Sequence, residues 1–152
     1  MADTRSRTRT RPRSRWHEPG TTVFDHERLD VYQTAIEFLA IADETASNLP
    51  RGRSYLADQL RRAALSIPLN IAEGSGEFSR KDKARFYRIA LRSGTECAAI
   101  FDICRVLDLD VTSELLDGRN LLLRIVSMLT RMTKIGNGNG NGDGYGNECS
   151  AR

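Results

Sequence analysis

The chain is poor in the residues that most often do chemistry. Its 152 residues include two histidines, three cysteines and one tryptophan. His17 and His26 both precede the long helical stretch, so neither has a seam position against a serine or cysteine nucleophile. A di-iron bundle needs Glu-x-x-His pairs on facing helices, and none is present. Three scattered cysteines without a Cys-x-x-Cys pair make no disulfide framework. No apolar run approaches the ~20 residues that cross a bilayer, and the N-terminus lacks the apolar core of a signal peptide. No strand-like alternation competes with the helical pattern, and Gly74-x-Gly76 has neither a preceding strand nor a following Gly-Lys-Ser/Thr, so it is no phosphate loop. These absences point away from an enzyme, a cofactor, a metal or a membrane, and toward a cytoplasmic chain of one domain.

What is abundant is arginine, unevenly placed. The formal net charge is +3, yet residues 1–15 alone carry Arg5, Arg7, Arg9, Arg11, Arg13 and Arg15 against Asp3. Residues 29–135 nearly balance, with fifteen Lys/Arg and fourteen Asp/Glu. The arginine segment has nothing apolar to bury and repels itself, so the reading for 1–25 is a disordered arm. It is either a phosphate-binding arm, whose arginines release counterions on binding, or a solvated leader or upstream extension. A mitochondrial transit peptide would carry amphipathic leucines, which this segment lacks. At the other end, 136–152 opens by alternating glycine with Asn and Asp. Glycine stands where calcium ligands would have to be, so a flexible tail is expected, with Cys149 exposed in it.

Between the two lies a helical block, residues 26–135. Tyr32, Ala35, Leu39, Ala42, Ala46 and Leu49 recur at steps of three and four, until Pro50 and Gly52 break the run. Leu56, Leu60, Ala64, Ile67 and Ile71 form a second run, closed by Gly74-Ser-Gly76 acting as a left-handed C-cap. Pro68 lies inside it and is expected to kink it near Ala64. Ser79 with Asp82 reads as the N-cap of a third helix, whose seam is Phe86, Ala90, Ser93, Cys97, Ile100, Cys104 and Leu107. Asp108-Leu-Asp110 ends it, and a fourth helix opens at Thr112 or Ser113, carrying Leu115, Leu122, Ile125, Leu129 and Met132. Four such helices on short connections predict an all-α, antiparallel up-down-up-down four-helix bundle. Leu65, Leu69, Leu91, Ile103, Leu116, Leu121 and Leu123 fall off these seams, and surplus apolar surface calls for self-association.

Two polar sets accompany the seams. Arg62, Ser66, Asn70 and Glu73 share one face of the second helix, and Arg85, Arg92, Ser93 and Glu96 form a similar face of the third. A hairpin turning near residue 76 sets Arg62 near Glu96, predicting a partly buried salt bridge. The third helix also begins with Arg80, Lys81, Lys83, Arg85, Arg88 and Arg92 against Asp82 alone. Tyr87 and Phe78 beside these cations are candidates to stack on bases, so this half-helix is a candidate nucleic-acid surface.

These residues carry a resemblance. Gln59-Leu-Arg-Arg-Ala-Ala64 followed by Ser66-Ile-Pro-Leu-Asn-Ile-Ala-Glu-Gly74 resembles the signature of the four-helix-bundle proteins encoded in 23S ribosomal RNA intervening sequences. Ser79 to Asp82, Arg85-Phe86, Ala90 and Arg92-Ser-Gly-Thr-Glu96 are similar to that family's third helix, and Leu29-Asp-Val-Tyr-Gln-Thr-Ala35 to its first. The likeness covers about residues 29–135, and neither tail takes part. It implies a ring-like homopentamer without established enzymatic activity. The related accessory proteins of diversity-generating retroelements, also pentameric bundles, bind nucleic acid and a reverse transcriptase. The expectation is therefore a non-enzymatic homo-oligomer that binds RNA or DNA through Arg80, Lys81, Lys83, Arg85, Arg88, Arg92 and the arm arginines. The alternative is a scaffold or accessory subunit for a protein such as a reverse transcriptase.

Overall fold

The computed structural model describes residues 22–109 and 112–136, and among these every regular element is helical. The arm up to residue 21, with Arg5 through Arg15, and the tail from residue 137 lie outside the described residues. A single 3-10 turn, Asp25–Arg28, leads into α1 (Asp30–Asn48), α2 (Ser54–Gly76), α3 (Arg80–Val106) and α4 (Thr112–Gly136).

The boundaries follow local chemistry. The α1–α2 connection turns at Gly52, whose φ of 89° suits a residue without a Cβ. Ser79 caps α3, its hydroxyl accepting from the Asp82 amide at 3.4 Å. α3 ends in a Schellman arrangement. Asp108 takes the left-handed position at φ 51°, the Leu109 amide reaches back to the Cys104 carbonyl at 3.0 Å, and the Asp108 amide reaches the Arg105 carbonyl at 3.1 Å. The expected left-handed cap at Gly74-x-Gly76 is corrected: neither glycine has positive φ, and α2 runs through both. Pro68 deprives the Ala64 carbonyl of its amide partner, yet α2 remains one helix from Ser54 to Gly76 with the proline ring buried.

Each helix packs on its neighbours in sequence, and α1 also packs on α4, closing a ring of four. Contacts between α2 and α3 run in opposite directions along the two chains: Gln59 meets Glu96, Ser66 meets Ser93, and Gly74 meets Tyr87. The α3–α4 contacts do the same, with Asp102 on Arg119 and Gly94 beside Val126. The start of α1, the end of α2, the start of α3 and the end of α4 therefore share one end of the bundle.

The core is narrow. Among the described residues alanine supplies eight of the 23 buried hydrophobic residues, and Phe38 meets Phe101 with ring centroids 5.9 Å apart. The expected α2 and α4 seams point inward, but α1 and α3 differ from expectation. Val31 and Phe38 on α1 and Ala84, Tyr87 and Phe101 on α3 are core residues that the seams did not include, and Leu107 is exposed beyond the last turn of α3. Full burial of a side chain such as Leu60 is worth about 1.5–3 kcal/mol. The exposed ion pairs Arg61–Asp43 (2.9 Å) and Arg119–Asp102 (3.2 Å) are worth about 0–1 kcal/mol each, so packing and not charge holds the fold. Of the seven surplus residues, Leu91 and Leu121 pack against the core, whereas Leu65, Leu69, Ile103, Leu116 and Leu123 remain exposed.

Helix approach depends on individual glycines. A Cβ on Gly118 would stand 2.5 Å from Phe101 Cε2 and 3.3 Å from Ile41 Cγ2, and the Phe101 ring is held by Phe38. Gly118→Ala should lower the unfolding free energy by about 1–2 kcal/mol, overpacking exceeding the gain in helix propensity. Gly94→Ala, whose Cβ meets nothing nearer than 3.6 Å, should raise it, and urea unfolding of both variants separates the two effects. Thr45 is fully buried and its hydroxyl has no hydrogen-bond partner. Thr45→Val should therefore raise the unfolding free energy by about 1 kcal/mol in the same measurement.

Candidate nucleic-acid interface

The cationic half of α3 is ordered by helical geometry into a row. Lys81, Arg85, Arg88 and Arg92 are spaced by four, three and four residues, which places them on one stripe; Lys81, Arg85, Arg88 and Arg92 are all exposed. That stripe is opposite the one formed by Ala84, Tyr87, Ala90, Gly94 and Cys97, which face the core. At 1.5 Å per residue the row is about 16 Å long. Arg80 lies exposed at its start, and Lys83 is half-buried off the row. None of these six cations forms an ion pair among the described residues, although Arg61, Arg105 and Arg119 do. Beyond Arg92 the same stripe passes through Glu96 to Ala99, Ile103 and Val106, all exposed. The solvent face of α3 is thus cationic at one end and apolar at the other.

The two aromatics beside this patch part company. Tyr87 is 5% exposed, its ring lying where a Cβ on Gly74 would be, 2.7 Å from that position. It cannot stack on a base, and burial raises the pKa of its hydroxyl. Phe78, in the α2–α3 turn, is fully exposed.

The polar face of α2 is partly as expected. Ser93 Oγ donates to Ser66 Oγ at 2.9 Å, and Asn70 Nδ2 donates to the Ser66 carbonyl at 2.8 Å and to its hydroxyl at 3.1 Å. This cluster ties α2 to α3 next to buried Pro68. The Arg62–Glu96 salt bridge does not form. Gln59 stands between them, its Nε2 donating to Glu96 Oε1 while its Oε1 accepts from Arg62 Nη2 at 2.6 Å. The neutral amide wins because it sits half-buried in the α2–α3 groove, whereas Arg62 projects into solvent. Glu73 is also exposed and makes no contact with this set among the described residues.

One cationic strip escaped the sequence reading. Arg124, Arg131 and Lys134 are exposed on α4, and no acidic residue occurs between Arg119 and Gly136. At roughly 100° per residue, Arg124 and Arg131 lie about 120–140° round the helix from Arg119, which faces α3, so they form a separate strip. The absence of acids over this stretch was its signal. Both strips lie toward the same end of the bundle.

Fold and surface together define an all-α four-helix bundle with a cationic end and an outward apolar end. The chain belongs to the family of 23S rRNA-intervening sequence proteins, whose model matches residues 27–131. That span includes the whole of α2 and α3, with the Ser66–Gly74 block and the cationic row. No curated protein matches the chain. Among the described residues no helix is long and apolar enough to cross a membrane.

Cys97 and Cys104 are fully buried on the core side of α3. Burial, and then the charge of Glu96, push the Cys97 thiol up from its ordinary 9.0 to about 12. Between those values the unfolded thiol loses its proton while the folded one keeps it, so stability falls as pH rises above about 9, by up to about 1.4 kcal/mol per pH unit. Unfolding free energies measured from pH 8 upward should fall less steeply in Cys97→Ala than in the wild-type chain.

Proposed function

We propose that the protein is a non-enzymatic homo-oligomer, a pentamer as its likeness implies, that binds RNA or DNA electrostatically in the cytoplasm. The observation that carries this reading is the row Lys81, Arg85, Arg88 and Arg92, four exposed cations with no acidic partner among the described residues. Unpaired surface arginines on a rigid helix neutralise phosphates at little cost in ordering. Arg80, Lys83 and the arm arginines Arg5, Arg7, Arg9, Arg11, Arg13 and Arg15 would add to the same interaction. Several copies brought together would multiply a weak phosphate affinity. Exposed Leu65, Leu69, Ile103, Leu116 and Leu123 supply apolar surface for that assembly. Buried free thiols at Cys97 and Cys104 suit a reducing compartment.

The apolar end favours a second reading. Ile103, Val106 and Leu107 at the end of α3 and Leu116 near the start of α4 are exposed together there. A scaffold or accessory subunit would dock its protein partner, for instance a reverse transcriptase, on such a surface. Co-purification that survives nuclease treatment distinguishes this reading from the first.

Filter binding of RNA and DNA across a salt series tests the leading reading. Affinity should fall linearly with the logarithm of salt concentration, and Arg85→Gln/Arg88→Gln should lower that slope by about two for each row engaged. A flat salt dependence, or no binding at low salt, overturns it. Light scattering reports the assembly, and a species of about the 17.0 kDa chain mass removes the multivalent part of the reading.

A further inference from the structure

The row has properties that select among nucleic acids. It is continuous, because its four cations ride on one unbroken 27-residue helix packed between α2 and α4. It is also bare of aromatics. Tyr87, the tyrosine within its span, is turned inward against Gly74, and Phe86 is half-buried beside it. Proteins that hold single strands combine a positive groove with aromatic platforms on which successive bases stack. Here the charge is present and the platform along the row is not.

We infer that the row's ligand is the sugar–phosphate backbone of a double helix, read without regard to base sequence; the inference rests on the nucleic-acid reading above and narrows it. A duplex offers phosphates already fixed on a rigid path, at about one charge per 1.7 Å of axis, so a row about 16 Å long meets them with little ordering of either partner. A flexible strand must be ordered to follow four charges in line, and no stacking along the row offsets that cost. Backbone contacts of this kind set position and carry no sequence information. Phe78, fully exposed three residues before Lys81, is the exposed aromatic closest to the row in sequence among the described residues, which makes it the control.

The test uses the full chain and three probes of one sequence, about 16 base pairs long, the span that shape-reading RNA modules cover: an RNA duplex, a DNA duplex and the separated strands. At matched salt both duplexes should bind at least about tenfold tighter than the strands. Arg85→Gln/Arg88→Gln should abolish most of that preference, and Phe78→Ala should leave it unchanged. The ratio between the two duplexes tells RNA from DNA. Equal or tighter binding of the strands, weakened by Phe78→Ala, overturns the inference and leaves the phosphate-binding reading standing. No binding of any probe at low salt overturns both. Circular dichroism melting of each variant confirms that these exposed substitutions leave the bundle folded.

Discussion

The close approach of α2 to α3 is the constraint on which the remaining features depend. It is made possible by small residues: Ala63 and Ala64 face inward from α2, Ala84 and Ala90 from α3, and Gly74 leaves room for the Tyr87 ring. Once the helices are this near, the interior has no space for a full set of leucines. α2, α3 and α4 then carry their extra apolar residues outward, which is why Leu65, Leu69, Ile103, Leu116 and Leu123 stand in solvent. The same approach brings Ser66, Asn70 and Ser93 into one hydrogen-bonded cluster, so the polar residues beside the seam satisfy one another. An alanine core and an apolar exterior are two results of one choice of helix spacing.

The Ser66–Gly74 block takes a physical meaning from this arrangement. Ile67, Pro68, Ile71 and Gly74 face the interior, Ser66 and Asn70 face α3, and Leu69 and Glu73 face outward. Positions three or four apart therefore answer to the same neighbour, and three faces interleave within nine residues. A proline buried mid-helix is tolerated because packing on both sides holds the segment while one hydrogen bond is missing.

Much of the fold was legible because four runs of apolar residues keep helical spacing for many turns, and Pro50, Gly52, Ser79 and Asp108 punctuate them. The turn chemistry was harder to read. Gly74-Ser-Gly76 has the composition of a left-handed cap, but Gly74 is there to admit a ring from the next helix, information that exists only once α3 is in place. Tyr87 looked available for stacking because its neighbours in sequence are cations, yet its phase on α3 is that of Ala84 and Ala90 and not of Arg85 and Arg88. The Arg62–Glu96 pairing was right about which helices meet, and wrong about which side chain reaches across, since a shorter amide at Gln59 occupied the groove first. For the candidate site, the six cations were visible as a group, but dividing them into a row of four with Arg80 and Lys83 beside it required the core face of α3 to be known.

An even number of antiparallel helices has one practical outcome for anyone handling this molecule. The first residue of α1 and the last of α4 lie at the pole that bears Lys81 and Arg85, so a fluorophore attached at either of these helix ends would sit at that cationic pole. The Gly52 turn, exposed at the far pole between α1 and α2, offers an attachment point remote from it.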